Sequence, residues 1–244
     1  MNLIIDQGNT RSKTAVFSDD ELLYAQQFEG ELQESDIIEL QKKFPFQNSI
    51  LSSVASEGKQ IKEILKDCSS TFIELSPETP VPLENLYQTP ETLGLDRLAL
   101  AVAATKLAPK TDALVISAGT CITYDFITAK NEFLGGAISP GLRMRARAMH
   151  EFTERLPLVD LPTEIGYCGA NSITSLQSGI LKGVSDEIDG KITFFKAENP
   201  NGKIFLTGGD QKYLINSIKS RTFALPNMVL IGLNEILQHN IKRP

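Results

Sequence analysis

Histidine and cysteine are scarce in this 244-residue chain, with His150, His239, Cys68, Cys121 and Cys168 making up the whole supply. No CxxC pair occurs, so a structural zinc site has no ligand set to draw on. An odd number of widely spaced cysteines excludes a disulfide frame and fits reduced thiols in a cytoplasm. No apolar run approaches the roughly 20 residues that a bilayer-crossing helix needs. The first strand is expected to begin almost at once, at Leu3, leaving no room for the charged region and cleavage site of a leader. Positive charge is in deficit too: 24 Lys and Arg stand against 30 Asp and Glu, a net charge of −6. That balance argues against a general nucleic-acid or membrane-surface binder. The Walker pattern GxxxxGK[ST] is absent. What remains is one large or two small domains, with 41% hydrophobic residues to build a core.

The most informative stretch is Leu3 to Phe17, LIIDQGNTRSKTAVF. It predicts strand, tight turn, strand: two apolar runs flank Asp6-Gln7-Gly8-Asn9-Thr10-Arg11-Ser12-Lys13. Gly8 permits close backbone approach to a ligand. Asn9, Thr10 and Ser12 offer amide and hydroxyl donors, and Lys13 offers a mobile positive charge. Asp6 ends the first strand, where a carboxylate can hold Mg²⁺, usually through waters. These residues make a phosphate cradle on a hairpin; a hairpin with a merely polar turn is the alternative.

Leu114 to Ile127, LVISAGTCITYDFI, repeats the pattern. Ile116 falls on Ile5, Ser117 on Asp6, Gly119 on Gly8 and Thr120 on Asn9. Two similar halves are expected, residues 1–112 and 113–244, each opening with a strand–turn–strand. Two such turns could grip the phosphates of a nucleotide from both sides, the layout of the actin-like, sugar-kinase-like ATP-binding proteins. Elsewhere strands and helices alternate, an α/β pattern. Strands are predicted over 21–28, 49–54, 71–75 and 203–207. Helices are predicted over 35–43, 57–67, 142–152, 173–184 and 227–239.

A proline-rich loop over 80–90 carries Tyr87 and leads into Gly94-Leu95-Asp96-Arg97, then into an all-small apolar helix. Asp96 is either a first-turn acid favoured by the helix dipole or a general base facing a ligand. Arg97 and Tyr87 beside it suit a small anionic substrate. Gly135 and Gly136 in FLGGAISP mark unusual torsions or close approach. Arg143, Arg145 and Arg147 span more than one helical face and are read as a solvated basic side or as ion pairs between subunits. Gly208-Gly209-Asp210 ends a strand, where α/β sheets place ligands and where an adenine or ribose could lie against backbone.

Together these motifs resemble the type III pantothenate kinases over nearly the whole chain. The marks are DxGNT at Asp6–Thr10, GxDR at Gly94–Arg97, GT at Gly119–Thr120, FLGGAISPG at Phe133–Gly141, and GG at Gly208–Gly209. The resemblance implies an α/β, actin-like and sugar-kinase-like fold built from two duplicated ribonuclease-H-like halves. It implies ATP-dependent phosphorylation of pantothenate to 4'-phosphopantothenate, the first step toward coenzyme A, by a homodimer with Mg²⁺ and a monovalent cation, K⁺ or NH₄⁺. Carried over, Asp6 to Lys13 and Thr120 bind ATP, and Asp6 serves Mg²⁺. Gly94, Leu95, Asp96 and Arg97 line the pantothenate pocket with Asp96 as proton acceptor, and Tyr87 helps close it.

Two positions depart from the family. Ser117 stands where an aspartate usually helps hold the monovalent cation, and a neutral hydroxyl is a poorer K⁺ ligand. Ser172 stands where a threonine is usual and keeps the substrate-contacting hydroxyl. Two rivals remain: a kinase of the same fold acting on another small alcohol, and a non-enzymatic regulator that keeps the ATP-binding fold.

Overall fold

The computed structural model describes residues 1–8, 11–30, 32–53 and 59–243. It separates into two compact units, Met1–Leu107 with Asn227–Pro244, and Ala108–Pro226. The halves expected from sequence, 1–112 and 113–244, differ from these units chiefly in the last helix, which packs with the first unit.

In the first unit, β1 (Asn2–Gln7), β2 (Arg11–Ser18) and β3 (Glu21–Glu29) form an antiparallel meander. Then come α1 (Glu34–Lys43), β4 (Asn48–Ser53), α2 (Lys59–Cys68) and β5 (Thr71–Glu74). β4 pairs parallel with β1, and β5 with β4, giving the order β3-β2-β1-β4-β5. β1 is apolar without alternation because both its faces are covered. Leu3 and Ile5 join Val16, Leu51, Ile37, Leu40, Ile61 and Leu65 in a core under α1 and α2. The opposite face meets α7 (Met228–Ile241). A two-residue strand β6 (Glu84–Asn85) and a 3-10 turn at Pro90–Thr92 lead into α3 (Leu95–Leu107).

The small residues of α3 have a steric purpose. A Cβ added at Gly232 of α7 would lie 1.8 Å from the Ala99 carbonyl oxygen, so the two helices touch backbone to backbone. Any side chain at Gly232 would force them apart. Asn234 explains why a polar side chain is tolerated in α7. It accepts from Asn2 Nδ2 at 2.9 Å and donates to the Asp19 carbonyl at 2.8 Å, while Asn2 accepts from Asn48 at 3.1 Å. The helix is thereby fixed to β1, β4 and the β2–β3 turn with its buried amide partnered.

The second unit repeats the first. β7 (Ala113–Ala118), β8 (Cys121–Ile127) and β9 (Glu132–Pro140) form a meander. β10 (Lys203–Thr207) pairs parallel with β7, and β11 (Phe223–Ala224) with β10. The order β9-β8-β7-β10-β11 is that of β3-β2-β1-β4-β5. The helices are α4 (Leu142–Glu151), α5 (Ser172–Glu198) and the short α6 (Gln211–Leu214). Leu114, Ile116 and Ala118 face a core with Leu176, Ile180, Val184, Ile188 and Ile192 of α5.

Helix α5 is much longer than the predicted 173–184. Gly183 and Gly190 weaken it locally, but Val184, Ile188, Ile192 and Phe195 continue the apolar stripe, and burial outweighs propensity. Its start matches expectation: Asn171 caps it, accepting from Thr174 N at 3.0 Å. Val54 of the predicted 49–54 strand, and residues 57–58 of the predicted 57–67 helix, lie outside the described residues.

Candidate active site

In the first unit the predicted cradle sits where β1 meets β2. Asp6 and Lys13 are direct cross-strand partners, as are Gln7 and Ser12. Strand alternation puts Asp6 on the face of β1 that carries Ile4, away from the α1–α2 core. Burial, set against the Lys13 ammonium and joined by the negative charge of Asp96, pushes the Asp6 carboxyl up to about 6. The two acids expected to serve ATP and pantothenate are therefore within electrostatic reach of each other, although they come from distant parts of the sequence.

Gln7 and Ser12 point the other way and are fully buried. Ser12 Oγ donates to the Gly30 carbonyl at 2.6 Å, and Gln7 Oε1 accepts from Ser53 at 3.5 Å. Gln7 Nε2 has no hydrogen-bond partner among the described residues. What these two residues can offer a nucleotide is main chain rather than side chain. Gly8 lies at the end of the first strand. Asn9 and Thr10 are outside the described residues, and Arg11 opens β2.

Asp96 lies in the first turn of α3 and is exposed. A Cβ on Gly94 would come within 2.6 Å of Asp96 Oδ1, so glycine there leaves room for the carboxylate. Leu95 is half-buried. Arg97, by contrast, is buried, 5% exposed, with its guanidinium 5.5 Å from the centre of the Tyr87 ring. The predicted grouping of Tyr87 with Arg97 is thus a direct stacking contact.

In the second unit the corresponding turn is Ala118-Gly119-Thr120. It is closed by Gly119 N donating to the Cys121 carbonyl at 2.9 Å. Two other backbone segments lie directly against it. Gly141 N donates to the Thr120 carbonyl at 3.1 Å, and a Cβ there would come within 2.1 Å of Gly119 O. Gly208, at φ +96°, has no room for a Cβ either, since it would meet the Ala118 carbonyl oxygen at 2.1 Å. Asp210 N donates to that same carbonyl at 3.0 Å. The two distant glycine motifs are therefore the packing that shapes one turn. Thr120 is exposed at its tip.

Ser117 is half-buried and aligned with Thr123 on β8 and Thr207 on β10. This trio is neutral. Thr207 donates to the Leu225 carbonyl at 2.7 Å, and Thr123 to the buried carboxylate of Asp125 at 3.2 Å. Ser172 is exposed at the first position of α5. Among the described residues, no group of three or more His, Cys, Asp or Glu side chains is placed to hold a metal ion.

The basic series of α4 divides in a way its spacing did not reveal. Arg143 and Arg147 are exposed. Arg145 is half-buried, paired with Glu187 and donating to Ser139 Oγ at 2.8 Å and the Pro140 carbonyl at 2.9 Å. Ion pairing within the chain replaces the solvated or inter-subunit role expected for it. Nothing in the sequence links Arg145 to Glu187, which lies far along α5.

Comparison with known proteins gives a family model described as type III pantothenate kinase, matching residues 2–193. A type III pantothenate kinase from Phocaeicola vulgatus is 44% identical over 243 residues, 99% of this chain and 100% of the relative. Among solved structures, one from Campylobacter jejuni, described as a Baf family transcriptional activator, superposes with TM-score 0.65 at 23% identity. The match covers 99% of this chain and 100% of that one. A glucokinase from an Antarctic psychrotroph superposes with TM-score 0.52 at 13% identity, over 98% of each chain. These structural likenesses establish the actin-like, sugar-kinase-like fold.

Proposed function

Because the chain belongs to the type III pantothenate kinase family, we propose that it transfers the γ-phosphoryl group of ATP to pantothenate, giving 4'-phosphopantothenate on the way to coenzyme A. The observation that carries this is the Asp6–Lys13 pair with Asp96 in electrostatic reach of Asp6: a turn cation and two carboxylates in one unit.

Phosphoryl transfer depends on alignment and charge neutralisation more than on covalent chemistry. Asp96 accepts the proton of the primary hydroxyl of pantothenate as its oxygen attacks the γ-phosphorus. The bond from that phosphorus to the β–γ bridging oxygen breaks, and ADP leaves. Exposure at the mouth of α3 suits Asp96 to this role, and Gly94 gives its carboxylate room. Arg97, backed by the Tyr87 ring, pairs with the pantothenate carboxylate, and the family resemblance assigns Ser172 of the second unit a substrate contact through its hydroxyl. Lys13 and the main chain from Asp6 onward hold the triphosphate, and the family resemblance assigns Thr120 of the second unit an ATP contact.

Asp6 and Asp96 are hard oxygen donors, and the cost of ionising Asp6, set chiefly by burial with repulsion from Asp96 added, is one that a divalent cation relieves. The residues present fit Mg²⁺, with Asp6 holding it, directly or through water. Bound there, it would neutralise phosphate charge. Ser117 itself offers a neutral hydroxyl, a poorer ligand for K⁺ or NH₄⁺ than the family's aspartate, so dependence on a monovalent cation should be shallow.

A homodimer follows from the same reading, and α5 supplies its surface. Gly179, Gly183 and Gly190 are exposed and have no atom of this chain within 4 Å of where a Cβ would stand. Exposed helix glycines cost about 1 kcal/mol each relative to alanine. A second copy lying close against α5 would offset that cost.

The test is pantothenate-dependent ADP release with Mg²⁺, with and without K⁺, beside a panel of sugars. Turnover confined to pantothenate supports the proposal. Turnover with a sugar alone favours the same-fold rival, and none at all favours a regulator.

A further inference from the structure

Arg145 stands in an odd place for a cation. It is at the start of α4, where positive charge opposes the helix dipole and the first turn carries no acid to offset it. Helix stability therefore does not account for it, and its contacts point elsewhere. Nε donates to the Pro140 carbonyl at 2.9 Å, and Nη2 donates to Ser139 Oγ at 2.8 Å and to Glu187. Glu187 is held in turn by the hydroxyl of Tyr124 at 2.8 Å, a fully buried side chain of β8.

Both atoms that Arg145 grips on β9 lie in the last two residues before Gly141. Gly141 is the residue whose N–H holds the Thr120 carbonyl and whose missing Cβ lets it lie on Gly119. A continuous set of contacts thus runs from Tyr124 and Glu187 through Arg145 and Pro140 to the Gly119–Thr120 turn. A planar guanidinium serves a carboxylate, a hydroxyl and a carbonyl from a rigid fork of N–H groups on separate nitrogens; a lysine ammonium carries its three donors on one nitrogen and does not reproduce that spacing.

We propose that Arg145, locked by Glu187, is a positioning residue for the nucleotide: it fixes the Ser139–Gly141 bend that sets the height and tilt of the Gly119–Thr120 turn. This rests on the reading that Thr120 contacts ATP. Burial works to raise the Glu187 carboxyl, but the bonds from Arg145, Tyr124 and Ser139 win and hold it below its ordinary value. The lock is therefore charged at neutral pH.

The experiment compares steady-state kinetics of the full-length enzyme with its Arg145→Met, Arg145→Lys, Glu187→Gln and Thr120→Val variants. Arg145→Met should raise KM for ATP about tenfold, the loss of one charge-assisted hydrogen-bond set, with KM for pantothenate unchanged. Arg145→Lys should recover only part of this. Glu187→Gln should shift ATP KM in the same direction, and the Arg145→Met/Glu187→Gln double variant should add little. A purely structural ion pair would lower Tm and kcat and leave the two KM values moving together. Unchanged ATP KM in Arg145→Met, or in Arg145→Lys and Glu187→Gln should Arg145→Met not fold, overturns the proposal. Thr120→Val then separates the two failures. If it raises ATP KM, only the role of Arg145 falls; if it does not, the Thr120 contact falls as well.

Discussion

Asp6 and Lys13 face one another as partners across the β1–β2 ladder, so the turn that follows Gln7 is bounded at its base by an acid and a base. The pair is unequal. Burial outweighs the lysine, and Asp96 adds repulsion, so Asp6 titrates at about 6 rather than at 3.8. If ionised Asp6 is needed to receive Mg²⁺ and ATP, log kcat/KM for ATP should fall as pH drops through about 6, with a slope near one. The same profile in Asp6→Asn, at its lower level, should lose that break. A wild-type profile flat from pH 5 to 8 would show that Asp6 does not govern nucleotide capture.

The same shift has a consequence for stability. A carboxyl whose folded pKa is raised binds its proton more tightly folded than unfolded. Its stabilising contribution is complete below about 3.8 and is lost as pH rises through about 6. Above that, ionised Asp6 costs on the order of 3 kcal/mol relative to a neutral residue. Asp6→Asn should therefore be more stable than the parent at pH 8, with the gain shrinking toward pH 4. Urea unfolding at the two pH values measures it.

Asp96→Asn should lower kcat by at least about a hundredfold, the usual contribution of a positioned general base. ATP binding should survive, because Asp96 is proposed to act on the alcohol. Isothermal titration with ATP and Mg²⁺ separates binding from turnover. Near-normal kcat in this variant would return Asp96 to the role of a first-turn acid.

Much of this was legible in the chain, for identifiable reasons. The two strand–turn–strand segments announced the duplication because buried parallel strands must be continuous apolar runs, and β1 and β7 both are. The Asp6–Lys13 and Tyr87–Arg97 groupings lay within short motifs, where spacing is informative. What escaped depended on contacts between remote residues. Nothing local tells that Gly141 and Gly208 pack on one turn, or that Arg145 reaches Glu187. The return of α7 to the first unit was hidden for the same reason. Its partners, Ala99 for Gly232 and Asn2 for Asn234, lie more than a hundred residues away in the sequence.

The Tyr87 ring over Arg97 predicts a distinction between two substitutions. Tyr87→Phe keeps an aromatic face under the guanidinium and should leave KM for pantothenate within about twofold. Tyr87→Ala removes it and should raise that KM roughly 3- to 30-fold, as expected for a cation–π contact of about 0.5–2 kcal/mol. KM for ATP should stay put in both. Equal effects of Phe and Ala would assign the role to the hydroxyl.

The exposed glycines of α5 allow the proposed dimer to be tested against the alternative of a bare helix face. Gly179 and Gly183 are one turn apart, and helical spacing puts Gly190 and the exposed Phe194 on the same broad face. On a face open to water, Gly183→Ala should raise stability by about 1 kcal/mol, because the site has room for a methyl group and alanine is the better helix former. On a face where a second copy approaches the backbone, the same methyl group would wedge the helices apart, and Gly183→Leu would do so more strongly. Sedimentation velocity across a concentration series distinguishes the two cases. A dimer that weakens from glycine to alanine to leucine supports the α5 surface. A dimer indifferent to both substitutions, with the alanine variant simply more stable, would place the subunit contact elsewhere.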